Sequence, residues 1–229
     1  MRRATDVLQA DPRVVGVKAG GSQLSGTMDE FSDLDLIVGV RPEHYEGVMR
    51  DRKTIAASLG PLLSAFTGEH VGEPRLLICL YGPELLHVDL KFVSLVEGEE
   101  LREDPVPAPD EQWIEDRFWT WVHYGATKIG RGELFEAVDF LAFLRFVVLG
   151  PLALRRAGAR PTGVRKIETL IPEFAHELEE TIARYDAADC ARALRECVRL
   201  YRSLRGDVAK NGAEEAAEGY LEEIARQLT

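Results

Sequence analysis

Three cysteines in 229 residues, Cys79, Cys190 and Cys197, make no CxxC and no paired Cys/His spacing. That excludes a disulfide framework or a structural zinc site as the organising device of the chain. Cys190 and Cys197 stand two turns apart on one face of a predicted helix, too far to bridge, and all three read as buried thiols. An uninterrupted apolar run of about 18 residues, the length a membrane-spanning helix needs, is also missing. Asp6 enters before any apolar stretch that could serve as a signal peptide, so a cytoplasmic protein with no membrane partner is the expectation. Basic charge is scarce as well: 28 Lys and Arg face 39 Asp and Glu, for a net charge of -11. The deficit concentrates in residues 1–110, with 11 basic against 19 acidic side chains. A long nucleic acid would favour a basic stripe, so none is expected as the main substrate. A small cationic acceptor suits the acidity better, although acidity that merely keeps a protein dissolved explains the sign equally.

A hydrophobic content of 45% over this length supports a sizeable core, in one large domain or two small ones. Val14-Val15-Gly16-Val17, ending at Gly20-Gly21, and Leu34-Asp35-Leu36-Ile37-Val38 read as two strands joined by a Gly/Ser/Thr-rich connection. Residues 43–66 carry helical spacing that Gly60-Pro61 must break or kink. Arg75 to Tyr81 and Leu85 to Val93 are further strand candidates, with Gly82-Pro83 as a hairpin turn. Pro105-Val106-Pro107-Ala108-Pro109 is a stiff linker that places a domain boundary between residues 1–107 and 108–229. Beyond it the chain turns helical: Glu111 to Ile129, Glu133 to Leu149 with a break at Gly150-Pro151, a segment from Val164, Ala175 to about Arg205, and Ala213 to Leu228. The predicted fold class is α+β: a mixed β-sheet with flanking helices, followed by a C-terminal helical bundle.

Strand alternation places Asp33 and Asp35 on one face, with Leu34, Leu36 and Val38 on the other. The same rule turns Leu86, Val88, Leu90 and Phe92 inward and puts His87, Asp89 and Lys91 on the polar face. Three carboxylates brought together repel by a few kcal/mol per close pair, roughly, at an effective dielectric near 20. Such oxygen ligands suit Mg2+ or Mn2+, which keep several waters and take their remaining ligands from substrate phosphates. Gly20 and Gly21 let the backbone approach a triphosphate, and the Ser22 hydroxyl donates to its oxygens. A calcium loop over Asp29, Asp33 and Asp35 fails, because Phe31 occupies a ligand position and no Gly follows Asp33.

Gly-Gly-Ser, a loop of about ten residues, Asp-x-Asp, and a later Asp within an apolar strand together resemble the nucleotidyltransferase superfamily of the polymerase-beta type, over roughly residues 14–93. With a helical second half, the chain looks like the antibiotic nucleotidyltransferases that act on aminoglycosides and lincosamides. The resemblance implies transfer of an adenylyl group from ATP to an acceptor hydroxyl with release of pyrophosphate. It makes Asp33 and Asp35 metal ligands and Asp89 either a third ligand or the base that takes the hydroxyl proton. It also implies a C-terminal bundle that walls the acceptor site, in a monomer or homodimer. Two other readings keep the same fold: adenylylation of another protein, as in antitoxin-like members of the superfamily, and a non-catalytic nucleotide- or partner-binding module.

Lys128, at the helix break before Arg131, is a candidate for the triphosphate, although a cation near a helix C-terminus ordinarily complements the dipole. Trp113, Phe118, Trp119, Trp121 and Tyr124 occupy several faces of one helix, so most should be core, with one left for stacking on adenine or acceptor. His87 and Lys91 flank Asp89 and could tune it electrostatically, but a polar face of mixed charge reads first as a solvated strand face. Asp139 and Arg145 interrupt the apolar run Leu134 to Leu149 and need partners or a ligand.

Overall fold

A computed structural model describes residues 2–21, 32–102 and 104–228 of the chain. Contacts divide it into two compact units, Met1–Asp104 and Pro105–Thr229, the division falling at the first proline of the linker.

In the first unit, helix α1 (Arg2–Gln9) leads into strand β1 (Val14–Ala19), followed by β2 (Leu34–Val40), α2 (Tyr45–Leu59), β3 (Leu62–Gly68), β4 (Glu73–Tyr81) and β5 (Leu86–Ser94). The sheet order is β1-β2-β5-β4-β3, with β2 and β5 parallel and every other neighbouring pair antiparallel. Leu34, Leu36, Val38 and Val40 of β2 and Val88, Leu90 and Phe92 of β5 are buried in one cluster with Leu8 of α1 and Val48, Ala56 and Leu59 of α2. The period-two pattern of each strand therefore buries one face under the helices and leaves the other for chemistry. Leu86, predicted to be inside, is exposed at the start of β5.

The helical reading of residues 43–66 holds only to Leu59. Gly60 takes an extended conformation (φ 171°, ψ -167°), as a residue before proline tends to, and Leu62–Gly68 pairs with β4 as an edge strand. Leu63 and Phe66, which look like a helical stripe, lie exposed on that strand.

The second unit is all-helical: α3 (Glu111–Gly130), α4 (Leu134–Leu144), α5 (Gly150–Arg156), α6 (Ile167–Leu170), α7 (Pro172–Glu179), α8 (Ala187–Leu204) and α9 (Glu214–Gln227). Asp110 caps α3 by accepting from the Trp113 amide at 2.9 Å. The expected break at Gly150-Pro151 does not occur. A π-turn over Arg145–Leu149 joins α4 to α5, which accommodates a proline that has no amide to donate and would crowd the carbonyl four residues back. The resulting 23-residue helix, Leu134–Arg156, is long and apolar enough by composition to span a bilayer, which its scattered charges hide in the sequence. Over its most apolar window 56% is buried inside the bundle, as befits a core helix. The helix expected from Ala175 to Arg205 is two helices, because Asp186 caps a new one by accepting from the Asp189 amide at 2.9 Å.

Glu115 sits at the centre of this bundle with no exposed surface. Its carboxylate accepts from Trp119 Nε1 (3.1 Å), the Asn211 amide (2.9 Å), Arg205 Nη1 (3.3 Å) and the Tyr201 hydroxyl. Burial pushes its pKa up, but these donors outweigh burial and hold it below the ordinary carboxylate range. Phe118 stacks on Tyr201, with centroids 3.8 Å apart, and both are buried with Trp119. Trp113, Trp121 and Tyr124 instead join Phe140 and Phe143 in a half-exposed aromatic strip.

Candidate active site

The parallel pairing of β2 and β5 sets Asp35 directly opposite Asp89, with Leu34 opposite Val88 and Leu36 opposite Leu90. Two carboxylates far apart in sequence therefore lie side by side on the face away from α1 and α2. β1, antiparallel to β2, ends beside them. The Gly20 amide donates to the Asp35 carbonyl at 2.9 Å, prolonging the ladder by one residue. Gly21 follows with φ +56°, and a Cβ built on it would fall 1.8 Å from Asp35 Oδ2. Only glycine leaves room for that carboxylate and takes that backbone conformation without strain.

His87, one pleat before Asp89 on the same face, joins two acids. Its Nε2 lies 3.0 Å from Asp89 Oδ1 and its Nδ1 3.3 Å from Asp33 Oδ1. Only the imidazolium can donate to both at once. His87 keeps 40% of its side-chain surface exposed and contacts Asp89 as its place on the polar face allows, while its contact with Asp33 depends on how the chain enters β2. Lys91, the next residue on that face, pairs with Glu73 and Asp104, each at 2.7 Å, and Arg75 pairs with the same two acids, each at 2.6 Å. The Arg75 guanidinium, with Lys91, holds the Glu73 carboxyl down to about 2. Lys18 of β1 donates to the Leu101 carbonyl at 3.1 Å, and Leu95 and Leu101 close on Gly39 and Gly16, so the segment after β5 crosses this face toward the Gly39 end of β2.

Asp33, Asp35, Asp89, Gly20 and Gly21 are thereby gathered at one end of the β2/β5 pair. Ser22 lies outside the described residues. Lys128, in the second unit, is held by Glu133 at 2.6 Å and Glu136 at 2.8 Å and lies over the Tyr124 ring. Those two carboxylates raise its pKa. Asp139 is exposed on α4.

Among the described residues, no group of three or more His, Cys, Asp or Glu side chains is arranged to hold a metal ion. The donor chemistry fits a hard divalent cation nonetheless, since Asp35 and Asp89 offer oxygen alone at matched positions on adjacent strands. His87 occupies only one oxygen of Asp33 and one of Asp89, which leaves the second oxygen of each for such an ion.

No protein-family model matches the sequence, and no curated protein matches it. Among solved structures, the chain is similar to the crystal structure of an aminoglycoside 6-adenyltransferase from Bacillus subtilis, at 16% identity over 98% of this chain and 97% of that one, with a TM-score of 0.46. At that level of likeness, nothing about activity or substrate carries over.

Proposed function

We propose that the protein is a divalent-cation-dependent nucleotidyltransferase that moves AMP from ATP to a hydroxyl of a small, cationic acceptor. The observation that supports this reading is the placement of Asp35 beside Asp89 on parallel strands, with the Gly20-Gly21 turn closed against Asp35. A pure binding module gains nothing from setting carboxylates against one another. Bound magnesium or manganese would supply charge neutralisation at the transferred phosphorus.

In this reading Asp33 and Asp35 hold the cation and the Gly20-Gly21 backbone lies along the triphosphate. The acceptor oxygen bonds to the α-phosphorus, the bond to the bridging oxygen breaks, and pyrophosphate departs with it. The hydroxyl proton leaves through Asp89 or to solvent. Asp89→Asn separates the two roles of that residue: weakened Mn2+ binding marks a ligand, and intact binding with lost turnover marks the base.

The test is mass spectrometry after incubation with ATP, magnesium and a panel of aminoglycosides and lincosamides. An acceptor heavier by one adenylyl group, absent with Asp35→Asn, is the expected result. ATP binding without transfer to any acceptor, together with label appearing on a lysate protein, would move the target from a small molecule to a polypeptide.

A further inference from the structure

Arg145 opens the π-turn between α4 and α5, where a charge interrupts an apolar helix. Its Nη1 donates to the Thr181 carbonyl at 2.7 Å and to the Thr181 hydroxyl at 3.3 Å, and so closes the turn that follows α7. That uses one of three guanidinium nitrogens. Among the described residues, no carboxylate pairs with it and Nε and Nη2 have no partner, although burial lowers its pKa. The open guanidinium nitrogens are not sealed from solvent, so a planar anion can reach them from outside.

Beside it lies a cavity of about 180 Å³ within the second unit. Its wall is aliphatic: Val164, Ile167, Ala175, Leu178 and Ile182. Glu168 and Glu179, both exposed, complete the lining, and Glu179 also meets His176 at 3.6 Å. One guanidinium and two carboxylates therefore line the same largely aliphatic cavity. Inorganic phosphate would be repelled by the glutamates, and a plain amine would leave Arg145 unmet. A molecule that carries both charges and a branched hydrocarbon satisfies all three parts of the lining.

We propose that this cavity binds a small α-amino acid with a branched aliphatic side chain, its carboxylate on Arg145, its ammonium toward Glu168 and Glu179, and its tail among Ile167, Leu178 and Ile182. The site is separate from the carboxylates of β2 and β5 and does not depend on the reaction assigned to them. Planar, bidentate capture of a carboxylate is what arginine does best, and the shape of the floor selects the tail.

Calorimetric titration of the full chain with L-leucine, isovalerate, isopentylamine and inorganic phosphate tests the assignment. L-leucine should bind one per chain, isovalerate about tenfold more weakly for want of the ammonium contact, and the other two not measurably. Arg145→Lys keeps a charge and a donor for Thr181 but loses the fork, and should weaken leucine by about tenfold or more. Glu168→Gln with Glu179→Gln, at two exposed positions that do not endanger folding, should weaken leucine while tightening isovalerate. The proposal is overturned if leucine shows no saturable binding, if neither variant changes it, or if isovalerate binds as tightly as leucine.

Discussion

Glu115 in the bundle and the carboxylates of the sheet are the same functional group treated in opposite ways. Glu115 is fully buried and receives four donors from three different stretches of chain. Asp33 and Asp89 share a single imidazole, and Asp35 stands level with Asp89 on the next strand. Where donors outnumber acids, a carboxylate joins helices together. At the glycine turn, the parallel pairing instead sets one acid directly beside another.

That contrast sets the expected results, from the largest down. Asp35→Asn should lower adenylyl transfer by about 10³-fold or more while leaving the melting temperature unchanged or higher, because it removes a repelling charge. A lower melting temperature would place Asp35 with Glu115 as a structural acid. Glu115→Leu should cost the bundle roughly 3–5 kcal/mol in denaturant unfolding, since it strands Arg205, Tyr201 and the Asn211 amide, and transfer should survive in whatever fraction stays folded. Gly21→Ala forces Asp35 aside and strains the positive-φ turn, and should reduce transfer by about 10²-fold while costing roughly 1–2 kcal/mol of stability. Unchanged kinetics would separate the turn from the chemistry.

Glu73→Gln probes a third, intermediate case, in which an acid shared by Arg75 and Lys91 is only partly buried. Its carboxyl pKa falls from 4.5 to about 2 on folding. A depressed folded pKa contributes stability that is present above the unfolded value and disappears as pH falls through the folded one. The wild type should therefore exceed the variant by roughly 1–3 kcal/mol at pH 7, with the two converging between about pH 4.5 and pH 2. Acid denaturation curves that stay parallel to pH 2 would dismiss the ion pairs as a source of stability.

Much of the site was legible because alternation and spacing are local. Asp33, Asp35 and Asp89 fall on the polar phase of strands whose other phase is continuous Leu, Val and Phe. What could not be read depends on partners chosen in three dimensions. Residues 62–68 carry apolar side chains compatible with either period, and only pairing with β4 makes them a strand. His87 reaches Asp33 across two strands that are distant in sequence. Glu115 looks like an exposed helical glutamate until Tyr201, Arg205 and Asn211 arrive from the far end of the chain. The joint at Arg145–Leu149 is invisible because Gly150-Pro151 signals an ending, whereas close approach of the Gly163 carbonyl, 2.2 Å from where a Gly150 Cβ would sit, explains why glycine is needed there.

The one parallel pairing among the described strands has a further consequence. Moving Asp89 by a single residue along β2 would carry Leu90 and Phe92 out of the core to the open face. A chain that has buried its apolar residues has in the same act put Asp89 on the face that carries Asp35. Folding thus inspects this centre for one kind of error, since a copy misaligned by a single residue fails to bury its core.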